Sequence, residues 1–165
     1  MIDPPVLTSF RDGDYHWAAM ELIVFCGIQA SGKSTFFKER FFDTHVRLSL
    51  DLLNTRQRED ALLHACLAAQ QKAVIDNTNP LARQRQRYCS IAKASGFRAV
   101  LYHFDVEIEQ ALLRNAGRGE ARRVPEIALR GTSKKFERPT LDEGFDEIFL
   151  VRTAPAGGWL VEAMQ

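Results

Sequence analysis

Gly27-Ile28-Gln29-Ala30-Ser31-Gly32-Lys33-Ser34, with Thr35 next, decides the fold, because it is a complete G-x-x-x-x-G-K-[ST] phosphate loop in the setting such a loop requires. Before it, Leu22-Ile23-Val24-Phe25-Cys26 is a short apolar run that predicts a buried strand; after it, Ser34 to Phe42 predicts a helix. The two glycines let the backbone turn tightly, so that successive N–H groups and the helix N-terminus point at phosphate oxygens. Lys33 adds a full positive charge near the terminal phosphates, and the Ser34 hydroxyl is the expected Mg²⁺ ligand. The ligand this implies is a nucleoside triphosphate, contacted by Gly27, Ala30, Ser31, Gly32, Lys33, Ser34 and Thr35. The plainer alternative is a glycine turn that binds nothing.

Composition bounds the rest. At 165 residues and 45% hydrophobic, the chain suits one compact domain that buries roughly 70% of its unfolded surface. Its 22 Lys+Arg stand against 21 Asp+Glu, a net charge of +1, so no global positive field announces nucleic acid or a membrane surface. Any such site has to come from local clustering. No run approaches the roughly 18 apolar residues of a membrane span, and Met1-Ile2-Asp3-Pro4-Pro5 does not open a signal peptide. The expectation is a cytoplasmic protein with no membrane association and no obligate protein partner. Cys26, Cys66 and Cys89 form no C-x-x-C pair, which points to reduced thiols rather than a disulfide frame or a zinc site.

Outward from the loop, strands and helices alternate. His45 to Asp51 predicts a second strand ending in an acid, and Glu59 to Gln71 a helix with Leu62, Leu63, Cys66 and Leu67 on one buried stripe. Ala73-Val74-Ile75-Asp76 is a third strand, Leu81 to about Ser95 a helix stopped by Gly96, and Arg98 to Phe104 a fourth strand followed by Asp105. Glu107 to Asn115 is helical, Pro125 opens another helix, and Glu147 to Val151 is the last strand. This pattern predicts an α/β P-loop NTPase fold: a parallel sheet of about five strands with helices on both faces. Residues 1–20 read as a peripheral arm in which Tyr15 and Trp17 pack over a sheet edge or a neighbouring ring, residues 21–152 as the domain, and 153–165 as a tail with no assigned place.

In open sheets of this kind the ligand lies beyond the carboxyl ends of the strands, which collects the phosphate loop, Asp51, Asp76 to Asn79 and Asp105 on one edge. Asp51 is suited to accept a proton from a hydroxyl that attacks the terminal phosphorus; the alternative is a helix cap. Asp76 is either a metal-shell or acceptor-site carboxylate or part of an Asx-turn before Pro80, with Thr78 and Asn79 as acceptor contacts or caps. Arg114, Arg118, Arg122 and Arg123, with Gly117 and Gly119 between them, suggest an Arg-rich lid closing over the transferred phosphoryl group, against a plain solvated loop. Arg56 and Arg58 follow Asp51 closely enough to meet a phosphate on the acceptor. Arg83 and Arg87 share a helix face that is either solvated or tracks an anionic substrate.

Together with the loop, two further stretches are specific: Ile75-Asp76-Asn77-Thr78-Asn79-Pro80 with Arg87-Tyr88, and Lys135-Phe136-Glu137-x-Pro139-Thr140-Leu141-x-Glu143-Gly144-Phe145. With them, residues from about Leu22 to Val151 resemble the kinase domain of the 5′-polynucleotide kinase family, phage and mammalian. Phe104-Asp105-Val106 and Arg114-Asn115-x-x-Arg118-Gly119 resemble the phage enzyme's approach to its lid. The resemblance implies transfer of the ATP γ-phosphate to a 5′-hydroxyl end of DNA or RNA, with Asp51 as general base, Lys33 and Ser34 on phosphate and Mg²⁺, and Arg118 as lid arginine beside Arg114. The sequence departs from the family at Leu50, where an Arg precedes the base, and at Asn54, where the phage enzyme has Arg. Arg56 or Arg58 is left to supply that charge, or the acceptor is not a polynucleotide. A kinase for a small metabolite or a tRNA-borne group, and a non-enzymatic ATP-binding switch, are the alternatives.

Overall fold

The chain is described over residues 20–165 in a computed structural model; the arm expected at residues 1–20, with Tyr15 and Trp17, lies outside the described residues apart from Met20. Strands β1 (Glu21–Cys26), β2 (Val46–Leu48), β3 (Ala73–Asp76), β4 (Arg98–Phe104), β5 (Glu147–Thr153) and β6 (Trp159–Ala163) form one sheet in the order β2-β3-β1-β4-β5-β6. The first five are parallel, and β6 returns antiparallel along β5. The sheet therefore has six strands rather than five, and the segment expected as an unplaced tail supplies the sixth. Its hairpin turn closes through the Ala154 N–H donating to the Gly158 carbonyl at 3.0 Å.

Helices α1 (Lys33–Arg40), α2 (Leu50–Leu53), α3 (Arg56–Ala68), α4 (Ala82–Ala94), α5 (Ile108–Ala116) and α6 (Glu126–Lys135) connect the strands. Alternate β1 side chains feed two cores, as the two-residue period of a strand requires. Leu22, Val24 and Cys26 meet α3 and α4 through Leu63, Leu67, Tyr88, Cys89 and Ala92. Ile23 and Phe25 face α1 through Phe36 and Phe37, within an aromatic pile that includes Phe41, Tyr102, Phe104 and Trp159. A third cluster, Ile28, Ala30, Ala111 and Leu129, seats the phosphate loop on α5 and α6. Both faces of the central strands are covered, which is why those strands are continuous apolar runs.

Two expected boundaries move. The second strand stops at Leu48, and Leu50–Leu53 turns into a helix, so Asp51 is the second residue of α2 rather than the end of a strand. Helix α3 starts at Arg56, earlier than expected, because the Thr55 hydroxyl caps it by accepting from the Arg58 N–H at 3.3 Å. Leu62 is then 44% exposed while Leu63, Cys66 and Leu67 are buried.

The Lys135–Phe145 stretch is a structural tie. Glu137 accepts from the Ala82 N–H at 2.7 Å at the start of α4, and Glu143 forms a buried ion pair with Arg85, whose Nε donates at 2.7 Å. Arg85 also donates to the Asn79 and Pro80 carbonyls at 3.0 and 3.2 Å, fixing the loop after β3. His103 stacks on Phe136 in the same layer, and burial pushes its imidazole down to about 4.

Candidate active site

The phosphate loop leaves β1 in a conformation that demands small residues. Gly27 has φ +152, and a Cβ there would lie 2.8 Å from the Phe104 carbonyl oxygen. Gly32, the N-cap of α1, has φ +100, and a Cβ would lie 2.5 Å from the Trp159 ring. Ala30 also has positive φ, at 61. The result is a loop wrapped around Lys33, whose Nζ donates to the Gly27 and Ile28 carbonyls at 2.8 Å each and to Ser31 Oγ at 3.2 Å. Burial pushes the Lys33 ammonium down to about 8; Asp76 and Asp51 oppose that fall, and Arg118 adds to it. Asp76, Arg118 and Asp51 thus each lie within electrostatic reach of Lys33.

Beside the loop, Asp76 is buried at the end of β3, and its Oδ2 accepts from the Ser34 hydroxyl at 3.0 Å. The same oxygen takes the Arg47 guanidinium, with Nη2 at 2.6 Å, and Arg47 Nη2 also donates to Ser34 Oγ at 2.9 Å. Arg47 was not among the expected residues. The signal it offers in the sequence is a charge inside a short apolar strand, and its guanidinium lies over the Phe37 ring of α1, 5.8 Å from the centroid. Ser34 and Asp76 are hard oxygen donors of the kind Mg²⁺ takes. Among the described residues no group of three or more His, Cys, Asp and Glu could hold a metal ion; the donor set suits a cation whose shell is completed by phosphate oxygens and water.

Asp51 is exposed. Thr78 is joined to the phosphate loop through its carbonyl, which accepts from the Gly27 N–H at 3.0 Å. Asn79 departs from its expected role as an acceptor contact: it is 1% exposed and donates from Nδ2 to the Phe25 carbonyl at 2.8 Å, so it braces the loop. Arg56 is not a free cation for an acceptor phosphate either. Its Nη1 is held by Glu59 at 2.9 Å and by the Tyr88 hydroxyl. Arg58 donates to the Leu53 carbonyl at 3.4 Å, Arg87 pairs with Asp60 at 2.6 Å, and Asp105 is bound by Arg138 and Arg152 at 3.2 and 3.1 Å.

The Arg-rich segment bridges α5 and α6 and is clamped at its base. Buried Asn115 donates to the Val124 carbonyl at 2.7 Å and accepts from the Val124 N–H at 3.0 Å, closing a loop over residues 116–123. Arg123 donates to the Ala116 and Arg118 carbonyls, and Arg114 to Thr153 Oγ1 at 2.8 Å. A cleft of about 240 Å³ adjoins the phosphate loop here, lined by Ser31, Val106, Gln110, Arg114, Arg152 and Thr153. A larger groove of about 750 Å³ lies between Leu112, Leu113 and Val124 and shares no residue with the phosphate loop.

A sequence model of the AAA domain family matches residues 22–139, from β1 past α6, and so takes in the phosphate loop, Asp51, Asp76 and the arginine segment. The chain belongs to that family. The chain is similar to the bifunctional polynucleotide phosphatase/kinase of Schizosaccharomyces pombe, 29% identical over 132 residues that make up 78% of this chain and 32% of that protein. It is likewise similar to a putative bifunctional polynucleotide phosphatase/kinase of Acanthamoeba polyphaga mimivirus, 30% identical over 135 residues, 78% of this chain and 32% of that one. The chain spans about a third of the length of these curated relatives. Among solved structures, Chaetomium thermophilum Kti12 in complex with ADP-AlF3 superposes with a TM-score of 0.58 at 17% identity, covering 79% of this chain and 88% of that one. The fold of this AAA-domain chain is that of the P-loop kinases. No helix among the described residues is long and apolar enough to cross a membrane.

Proposed function

We propose that this chain transfers the γ-phosphoryl group of ATP to a hydroxyl, and that the acceptor is the 5′-hydroxyl end of DNA or RNA. The observation that carries it is the phosphate loop wrapped around buried Lys33, with the Ser34 hydroxyl at its edge bonded to Asp76. The names of the two curated relatives support the nucleic-acid acceptor.

In this mechanism the loop amides and Lys33 hold the β- and γ-phosphates. Ser34, with Asp76 behind it, would hold Mg²⁺, which would supply charge neutralisation to the phosphates. Asp51, exposed on the acceptor side, takes the proton of the attacking hydroxyl as the new O–P bond forms and the bond from γ-phosphorus to the β–γ bridging oxygen breaks, releasing ADP. Arg118, with Arg114 beside it, neutralises charge on the transferred oxygens. Arg47 fixes the Asp76 carboxylate and the Ser34 hydroxyl in place beside the phosphates.

The test offers labelled ATP with 5′-hydroxyl DNA, 5′-hydroxyl RNA and a panel of small alcohols in parallel. Label should enter the oligonucleotide ends, and Lys33→Ala and Arg118→Ala should each lower the rate at least about a hundredfold. Label entering only a small alcohol, or only inorganic phosphate, would overturn the nucleic-acid assignment.

A further inference from the structure

Helix α2, which carries Asp51, has an N-terminus that its own residues do not cap. Ser49 is the N-cap, yet its hydroxyl makes no cap hydrogen bond and is buried without a partner. The first amide of the helix, Leu50 N–H, donates instead to Asn77 Oδ1 on the loop after β3, at 2.8 Å. An outside carboxamide thus satisfies one of the unpaired amides at the start of the helix.

A carboxamide has one accepting and one donating end: the Leu50 N–H, which can only donate, takes the carbonyl, and the NH₂ is left to a second partner. That partner is Glu59 on α3, which is 0% exposed. Its Oε2 accepts from Asn77 Nδ2 at 2.6 Å, while Oε1 accepts from the Tyr88 hydroxyl and from Arg56 Nη1 at 2.9 Å. Accepting from that NH₂, Glu59 anchors Asn77 with its carbonyl turned to Leu50. Burial and the bond to Glu59 hold the Tyr88 phenol above its ordinary range, keeping it a donor. Four elements therefore meet at one buried carboxylate: α3 carries it, α4 contributes Tyr88, the β3 loop contributes Asn77, and α2 hangs from Asn77.

We propose that Glu59 is a positioning residue for phosphoryl transfer: through Asn77 and the Leu50 amide it sets the start of α2 and so holds Asp51 toward the phosphate loop. This rests on Asp51 being the proton acceptor. Glu59 bonds to Asn77, Tyr88 and Arg56 rather than to the phosphate loop, so it acts on the reaction at a distance, through Asn77 and the placement of α2.

The test uses Glu59→Gln and Leu50→Pro. Gln at 59 has one accepting oxygen where the carboxylate has two and turns its NH₂ toward either Asn77 or the Tyr88 and Arg56 donors, so the hold on Asn77 is weakened. Pro at 50 removes the N–H that Asn77 accepts while respecting the local backbone: it is favoured at the first position of a helix, and Ser49 is already extended at φ −135, ψ 132, as a residue before proline needs to be. Each variant should bind an ATP analogue as wild type does and lower the single-turnover transfer rate about 10- to 100-fold, the cost of displacing a reacting group by about 1 Å. In an Asp51→Asn background Glu59→Gln should change the residual rate by less than about twofold, whereas a general loosening of the fold would lower both rates alike. Folded variants with wild-type rates, or an equal loss in both backgrounds, would overturn the assignment of Glu59. Near-normal transfer by Asp51→Asn itself would instead remove Asp51 as base, so the two failures are distinguishable.

Discussion

Lys33 couples the phosphate loop to pH. Burial holds its ammonium at about 8 in the free protein, and the negative phosphates of a bound nucleotide raise it. Binding therefore takes up a proton near and above pH 8, and nucleotide affinity falls as pH rises through that value, by up to about tenfold per unit. Calorimetry at pH 8.5 in two buffers of different ionisation enthalpy should register this uptake; identical apparent enthalpies would contradict it. Gly27 is constrained by its surroundings: with a Cβ 2.8 Å from the Phe104 carbonyl, Gly27→Ala should destabilise the protein by about 1–3 kcal/mol and weaken nucleotide binding, as thermal unfolding and titration would report. At this scale the sequence reveals the loop, because four fixed positions between a strand and a helix admit few other meanings. It conceals the partners of Arg47 and Asn79. A charge inside a short apolar strand marks Arg47 but not its crossing to Ser34 and Asp76, and nothing local distinguishes an asparagine bonded to the Phe25 carbonyl from a loop asparagine.

Glu143, in a 3-10 turn before β5, and Arg85 on α4 tie two elements together without exposure to water. Removing one partner leaves the other charge buried, so Glu143→Ala should lower stability by about 3–5 kcal/mol, measurable by urea unfolding, and loosen the Asn79–Pro80 loop that Arg85 braces. The central strands β1, β3 and β4 are legible because both their faces are buried and their apolar runs are unbroken. The edges are less so: β2 is legible as a strand but not its end at Leu48, and β6, with four of its five residues exposed, carries no burial pattern. The same lack of pattern hides α2: four residues are too few for helical periodicity, and its cap comes from Asn77, 27 positions away.

Across the whole molecule, acid sensitivity should be led by His103. Its folded value of about 4 lies below the ordinary 6.5, so the unfolded chain binds the extra proton between these values. Stability from the neutral imidazole is present above about pH 6.5 and is lost as pH falls toward 4, amounting to a few kcal/mol. Stability measured by denaturant against pH should decline across that window, and the decline should be shallower in His103→Phe. The net charge of +1 leaves acceptor recognition to local cations, so any nucleic-acid binding should weaken with salt with a slope set by few phosphates. The same edge of the sheet gathers donor loop, carboxylates and arginine segment, and phosphoryl transfer is the chemistry that uses all three. Single-turnover transfer of the labelled γ-phosphate from ATP to a 5′-hydroxyl oligonucleotide, comparing wild type with Asp51→Asn, tests this most directly. Wild type should label the 5′ end, and Asp51→Asn should do so at least about a hundredfold more slowly with unchanged affinity for an ATP analogue. Equal rates for the two proteins would contradict the account.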